Sequence, residues 1–229
     1  MGQTKHFQHQ ATLPALLLLL AVVVGLLAYG LYNYADQTTL PKGSSQSAVG
    51  IGLDQSQTSI GLASLQQGGL SFVYLTVDGQ FSAYRKRLAK TKLAYGSVIK
   101  VKEQNSAKQL ASAKRLSGGH WGRLPILLDS GQDDPGAAGI TAMSQLAAAL
   151  IKSHAVMVNA SAKYKKLFPA GCKFLATSES APSKLNYCFW RYTEKGHVTG
   201  VSGIGYKNVM YAYIGTSQQY KEKYGQLAQ

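Results

Sequence analysis

Residues 124–134 read LPILLDSGQDD, a short apolar run that breaks off at Asp129 and passes at once into a loop containing Ser130 and Gly131. A few apolar residues closed by an acid and turn formers describe a buried strand. In a barrel of parallel strands, an acid at the carboxyl end of such a strand stands where chemistry is usually done. The pattern recurs upstream: VGIGL ends at Asp54 and LSFVYLTV ends at Asp78-Gly79. A single solvated loop acid means little. Three of them, on the first, second and fourth strands, point to one shared mouth.

Helical spacing fills the gaps between these strands. Residues 81–92 (FSAYRKRLAKTK) put Phe81, Tyr84 and Leu88 on one face, with Arg85, Lys86, Arg87, Lys90 and Lys92 around the rest. Similar patterns predict helices over 58–67, 105–116 and 137–152, and a short one over 163–167. LAYGSVIKV and AVMVNA supply the remaining strands of this part. After residue 167 the helices fade, and CKFLATS, YCFWRYT and NVMYAYIG read as strands joined by loops. Five strand–helix units followed by three strands predict an α/β fold over residues 49–229, an irregular TIM-like (β/α)5(β)3 barrel.

The N-terminus is of another kind. Residues 15–32 (ALLLLLAVVVGLLAYGLY) form an uncharged apolar run. At about 1.5 Å per residue it nearly crosses a hydrocarbon core of about 30 Å. A cleaved signal peptide is the competing reading. The length of the run, and the lack of a small-x-small site better than Asn33-Tyr34-Ala35, favour an uncleaved transmembrane signal anchor. Lys5, with no acid before the span, places residues 1–14 in the cytoplasm. Residues 33–48, polar with Pro, Gly and Ser, read as a linker. The barrel domain is then expected outside the cell membrane, held by a single pass.

The chain of 229 residues carries 24 Lys and Arg against 10 Asp and Glu, a net charge of +14. Residues 1–48 hold two of the basic and one of the acidic residues, so residues 49–229 keep an excess of 13 positive charges. Such an excess favours a polyanionic partner: nucleic acid, lipid headgroups or cell-wall polymers. An extracytoplasmic placement demotes nucleic acid, which the basic clusters at 85–87 and 163–166 alone would suggest. The five histidines show no metal-ligand spacing, and no cofactor motif is present. Cys172 and Cys188 each open a strand-like run, which suits either a disulfide, permitted by export, or two buried thiols.

The segment VGIGLDQSQTSIGLASLQQGGLSFVYLTVDG resembles the opening of glycoside hydrolase family 25, the muramidases or lysozymes of bacteria and phages. That opening pairs a Gly-x-Asp-x-Ser first strand with a Ser-Phe-Val second strand ending in acid-Gly. LAYGSVIKV is similar to the third strand, normally Gly-x-Tyr-His-Phe, with Val98-Ile99 in place of Tyr-His. LPILLDSG falls on the Pro-x-x-x-Asp-x-Glu strand. FWRYTEKGHVTGVSGIGYKN resembles the closing segment, Trp-Gln-Tyr-Thr followed by Gly-x-Ser-Gly-x-x-Asp-x-Asn.

The resemblance implies chemistry that needs carboxylates, one acid to protonate the leaving oxygen and another carboxylate to assist at the sugar carbon. Asp54 and Asp129 keep two of the family's acids. Asp78 keeps a carboxylate where Glu is usual, and Asn208 is retained. Gly131 stands where the proton-donating Glu is expected, and Tyr206 where the last Asp is expected. Trp190 and Tyr192 match aromatic positions where a sugar ring can stack, although barrel packing explains them equally. The expected function is a membrane-anchored pseudo-muramidase that binds peptidoglycan or anionic wall polymers. The alternative is an active muramidase whose donor is displaced to Asp133 or Asp134.

Overall fold

The computed structural model describes residues 9–38, 47–53, 55, 60–132, 134–178, 182, 187–196, 198 and 208–225. The chain divides into two units, Met1–Thr39 and Leu40–Gln229. The first contains helix α1 (His9–Thr38), which starts ahead of the apolar run and continues into residues that the sequence reads as linker. Residues 14–30 are exposed along it. Among the described residues no helix is long and apolar enough to cross a membrane. The run over 15–32 extends past the described side chains, which end at Gly30.

In the second unit, eight strands close a barrel in sequence order. They are β1 (Val49–Leu53), β2 (Phe72–Thr76), β3 (Ala94–Lys100), β4 (Ile126–Asp129), β5 (Val156–Val158), β6 (Lys173–Thr177), β7 (Tyr187–Gly196) and β8 (Asn208–Tyr213). The first seven run parallel, and β8 closes the ring antiparallel to both β7 and β1. Helices α2 (Leu62–Gln67), α3 (Phe81–Leu88), α4 (Ser106–Ser117) and α5 (Ala137–Leu150), with a 3-10 helix over Ala162–Leu167, follow the first five strands. This is the expected barrel, with α2 and α3 shorter than their sequence patterns.

Alternation along the strands separates two kinds of core. Odd positions of β1 and β2 (Ile51, Leu53, Val73, Leu75) face α2 and α3, and Ile126, Leu128, Val156 and Val158 face α5. Phe72, Tyr74, Leu127, Met157, Leu175, Phe189 and Tyr211 fill the barrel interior. Gly50 is required here: a Cβ on it would lie 2.2 Å from the Phe72 ring.

A last helix, α6 (Ser217–Tyr224), is absent from the sequence reading. Thr216 and Gln219 form a capping box at its start. Its Tyr220 and Tyr224, one turn apart, pack beneath Phe72, Phe189 and Tyr213 and close the end of the barrel opposite the mouth.

Candidate functional site

The carboxyl ends of the strands form the mouth. Thr76 ends β2, Lys100 ends β3, Asp129 ends β4, Asn159 follows β5 and Thr177 ends β6. Register then sets side chains next to one another: Lys100 opposite Asp129, Thr177 opposite Arg191, and Arg191 opposite Tyr211. Residues opposite each other on neighbouring strands share a face.

Asp129 is 3% exposed. Its Oδ2 receives the Lys100 ammonium at 2.6 Å, and its Oδ1 accepts from Asn159 Nδ2 and from the Gly131 N–H, both at 2.9 Å. Burial pushes its pKa up. The Lys100 charge and the hydrogen bonds from Lys100, Asn159 and Gly131 outweigh that, and hold the carboxyl below its ordinary value. Asp129 is therefore a carboxylate at neutral pH, with both oxygens occupied. It has no proton to give.

Gly131, exposed, sits at φ +77, and a Cβ there would meet nothing within 4 Å. Space for a side chain exists, but the backbone is left-handed, which costs a non-glycine residue about 1–2 kcal/mol. Because Asp129 Oδ1 bonds the N–H two residues on, the chain turns sharply out of β4. Where the resemblance expects an acid, there is a turn.

Of the displaced donors, Asp133 lies outside the described residues, as do Asp54 and Tyr206. Asp134 is exposed and accepts from Lys163 Nζ at 2.8 Å and from the Tyr164 hydroxyl at 2.9 Å. Those hydrogen bonds lower its pKa, so it too is held ionised.

Asp78 stands beyond the end of β2, where its Oδ1 accepts from the Gln80 N–H at 2.8 Å and its carbonyl accepts from the Phe81 N–H, shaping the approach to α3. Trp190 and Tyr192 are 1% and 6% exposed and belong to the outer cluster with Ala176, Met210 and Ala212. By the alternation of β7 their side chains lie on the outer side of the sheet. Asn208 joins the top of β8 to β7 by donating to the Gly196 carbonyl at 3.2 Å. Its buried Oδ1 has no partner among the described residues.

Cys172 and Cys188 are free thiols rather than a disulfide. Cys188 lies against Met157 in the interior, whereas Cys172 packs against the helix-side core, so the two sit on opposite faces of the sheet. Burial pushes both thiols up to about 11, which leaves them unreactive.

The alternation along β7 instead turns Arg191 into the mouth. Its guanidinium, 8% exposed, pairs with Glu194 at 3.0 Å and donates to Thr177 Oγ1 at 3.3 Å. Tyr211 fills the space over Gly52, and burial keeps its phenol protonated. Gln55, fully buried, bonds both the carbonyl and the N–H of Thr76, tying β1 to β2 at the rim. Sequence reading by acids alone passes over Lys100, Asn159, Arg191, Tyr211 and Gln55. The usable signal was alternation: Lys100 and Arg191 break apolar runs on the inward parity. Among the described residues, no group of three His, Cys, Asp or Glu side chains could hold a metal ion.

No protein-family model matches the sequence, and no curated protein matches it. Solved structures do. A family 25 glycosyl hydrolase from Bacillus anthracis aligns at a TM-score of 0.57 and 18% identity, covering 77% of this chain and 93% of that one. The fold is that of glycoside hydrolase family 25. A bacterial lysozyme from Streptomyces coelicolor gives 0.57 and 20% identity, over 75% of this chain and 94% of its own. A glycosyl hydrolase 25 of Streptococcus pneumoniae, described as a virulence factor participating in host cell invasion, gives 0.61 and 14% over 78% and 92%. On this barrel, Asp129 and Gly131 leave β4 at the mouth.

Proposed function

We propose that the protein is a membrane-anchored, extracytoplasmic barrel that binds the bacterial cell wall, as peptidoglycan or anionic polymer, and has lost the ability to cut glycan. Glycoside cleavage asks for one carboxylic acid that still carries its proton and a second carboxylate nearby. The turn at Gly131 carries the reading: a left-handed glycine stands two residues beyond the ionised Asp129, where the resemblance expects the proton donor. General acid catalysis contributes about a hundredfold to ten-thousandfold, and Gly131 has no side chain to supply it. The mouth keeps two ion pairs, Lys100 with Asp129 and Arg191 with Glu194, and the binding reading draws on the excess of 13 positive charges over residues 49–229.

The anchoring half of the reading rests on the exposed apolar residues of α1, among them Leu16, Leu18 and Leu26 at 65–69%. So continuous an apolar surface calls for cover, and a lipid bilayer provides it. Retention of the full chain on purified sacculi, falling steeply with added salt, is the expected outcome of a pull-down. Absence of retention at low salt would refute wall binding. Protease added outside intact cells should remove the barrel while leaving the N-terminal segment in the membrane fraction.

A further inference from the structure

A concavity of about 810 Å³ lies beside the mouth, between the β3–α4 loop and one face of α4. Val77, Ile99 and Leu116 give it apolar walls, and Lys102 and Lys108 line it with Glu103 and with Lys100, whose ammonium is paired with Asp129. A second hollow of about 580 Å³ shares Glu103 and Asn105 and continues between the starts of α4 and α5. Lys100 connects groove and mouth, because the side chain that lines the groove also holds Asp129.

The loop wall is built in advance. Gln109 Oε1 accepts from the Lys102 N–H at 2.8 Å, and its Nε2 donates to the carbonyls of Lys102 at 2.9 Å and Gln104 at 2.5 Å. Asn105 takes a left-handed conformation at φ 58, a backbone state uncommon for a residue other than glycine. Lys102 and Lys108 are thereby carried on a fixed frame.

We infer that this groove binds the phosphodiester groups of a linear anionic polymer that enters it from the barrel mouth. The inference rests on the wall-binding reading and names the ligand chemistry. All three cations are lysines. Lysine ammonium groups act as compact point charges and are regular ligands of phosphate oxygens. From Lys108 to Leu116 the face of α4 extends about 12 Å at 1.5 Å per residue, room for more than one charged group. Val77, Ile99 and Leu116 meet the carbon atoms between charges. A concave, elongated groove suits a flexible chain better than the plane of headgroups on a bilayer.

The test uses the full chain in detergent, with synthetic poly(glycerol phosphate) as probe and titration calorimetry at low salt. A Lys102→Glu/Lys108→Glu variant is expected to bind about tenfold more weakly or worse, whereas Lys173→Glu/Lys221→Glu, with the same charge change at the opposite end of the barrel, changes binding less than threefold. Equal losses in the two variants would overturn the groove in favour of undirected charge attraction. Vesicles containing phosphatidylglycerol form a second arm: indifference of vesicle binding to the groove variant supports the polymer, and equal sensitivity overturns it. Sacculi stripped of phosphate polymers test the glycan reading separately. Loss of wild-type retention there would sink that reading, while poly(glycerol phosphate) binding reports on the groove.

Discussion

At the scale of single residues, the mouth is governed by how Asp129 is held. The carboxylate is buried and has a lowered pKa, so the unfolded chain binds its proton more readily than the folded one. The stabilisation is therefore complete above the ordinary carboxyl pKa, about 3.9, and is lost as pH falls below it. Asp129→Asn should lower stability at pH 7 by about 1–2 kcal/mol, since the buried groups around it lose a partner. Lys100, being largely exposed, is rescued by water. Urea unfolding between pH 3 and 7 should show the wild type losing stability toward acid, with that slope reduced in Asp129→Asn.

Gly131 makes a separate point. Gly131→Glu places a carboxyl where the sequence resemblance expects a donor, but on a left-handed backbone. It should cost about 1–2 kcal/mol and leave the protein inactive on sacculi. Clearing of cell walls by this single variant would show that the turn after β4 is no obstacle.

At the scale of elements, Gly50→Ala forces a methyl against the Phe72 ring, and overpacking of this kind costs about 1–3 kcal/mol. Thr216→Ala removes half of a capping box and should cost about 1 kcal/mol; both losses are read from denaturation midpoints. These two positions also mark what the sequence made legible. The strand order and the five strand–helix units follow from apolar periodicity and from strand ends marked by Asp. Helix α6 was legible too, in Thr216-x-x-Gln219 and in tyrosines one turn apart, but a reading that stopped at the last apolar run passed over it. The inward direction of Arg191 required only the alternation of β7. Trp190 and Tyr192 fit either a sugar platform or barrel packing in the sequence, because an aromatic residue on a short strand suits either face, and the alternation of β7 sets them in the outer cluster. Cys172 and Cys188 followed the same pattern: similar positions in two strands, but opposite faces once β6 and β7 are registered with an irregularity at Phe174 and Leu175. The turn at Gly131 depends on a hydrogen bond back to Asp129, which composition does not reveal.

At the scale of the molecule, a basic barrel with an excess of 13 positive charges over residues 49–229 should show wall binding that weakens steeply with ionic strength, since surface charges are screened within about 10 Å at 0.1 M salt. The family 25 fold itself leaves open both binding and cutting, and the proposal of binding alone draws on the turn at Gly131. The central claim is that this barrel binds the wall without hydrolysing it. The most direct measurement is the release of reducing ends from purified sacculi by the full chain, with the Asp129→Asn variant alongside. The account predicts retention on the sacculi and no release above background from either protein. Reducing ends released by the wild type and abolished by Asp129→Asn would contradict it and establish an active muramidase.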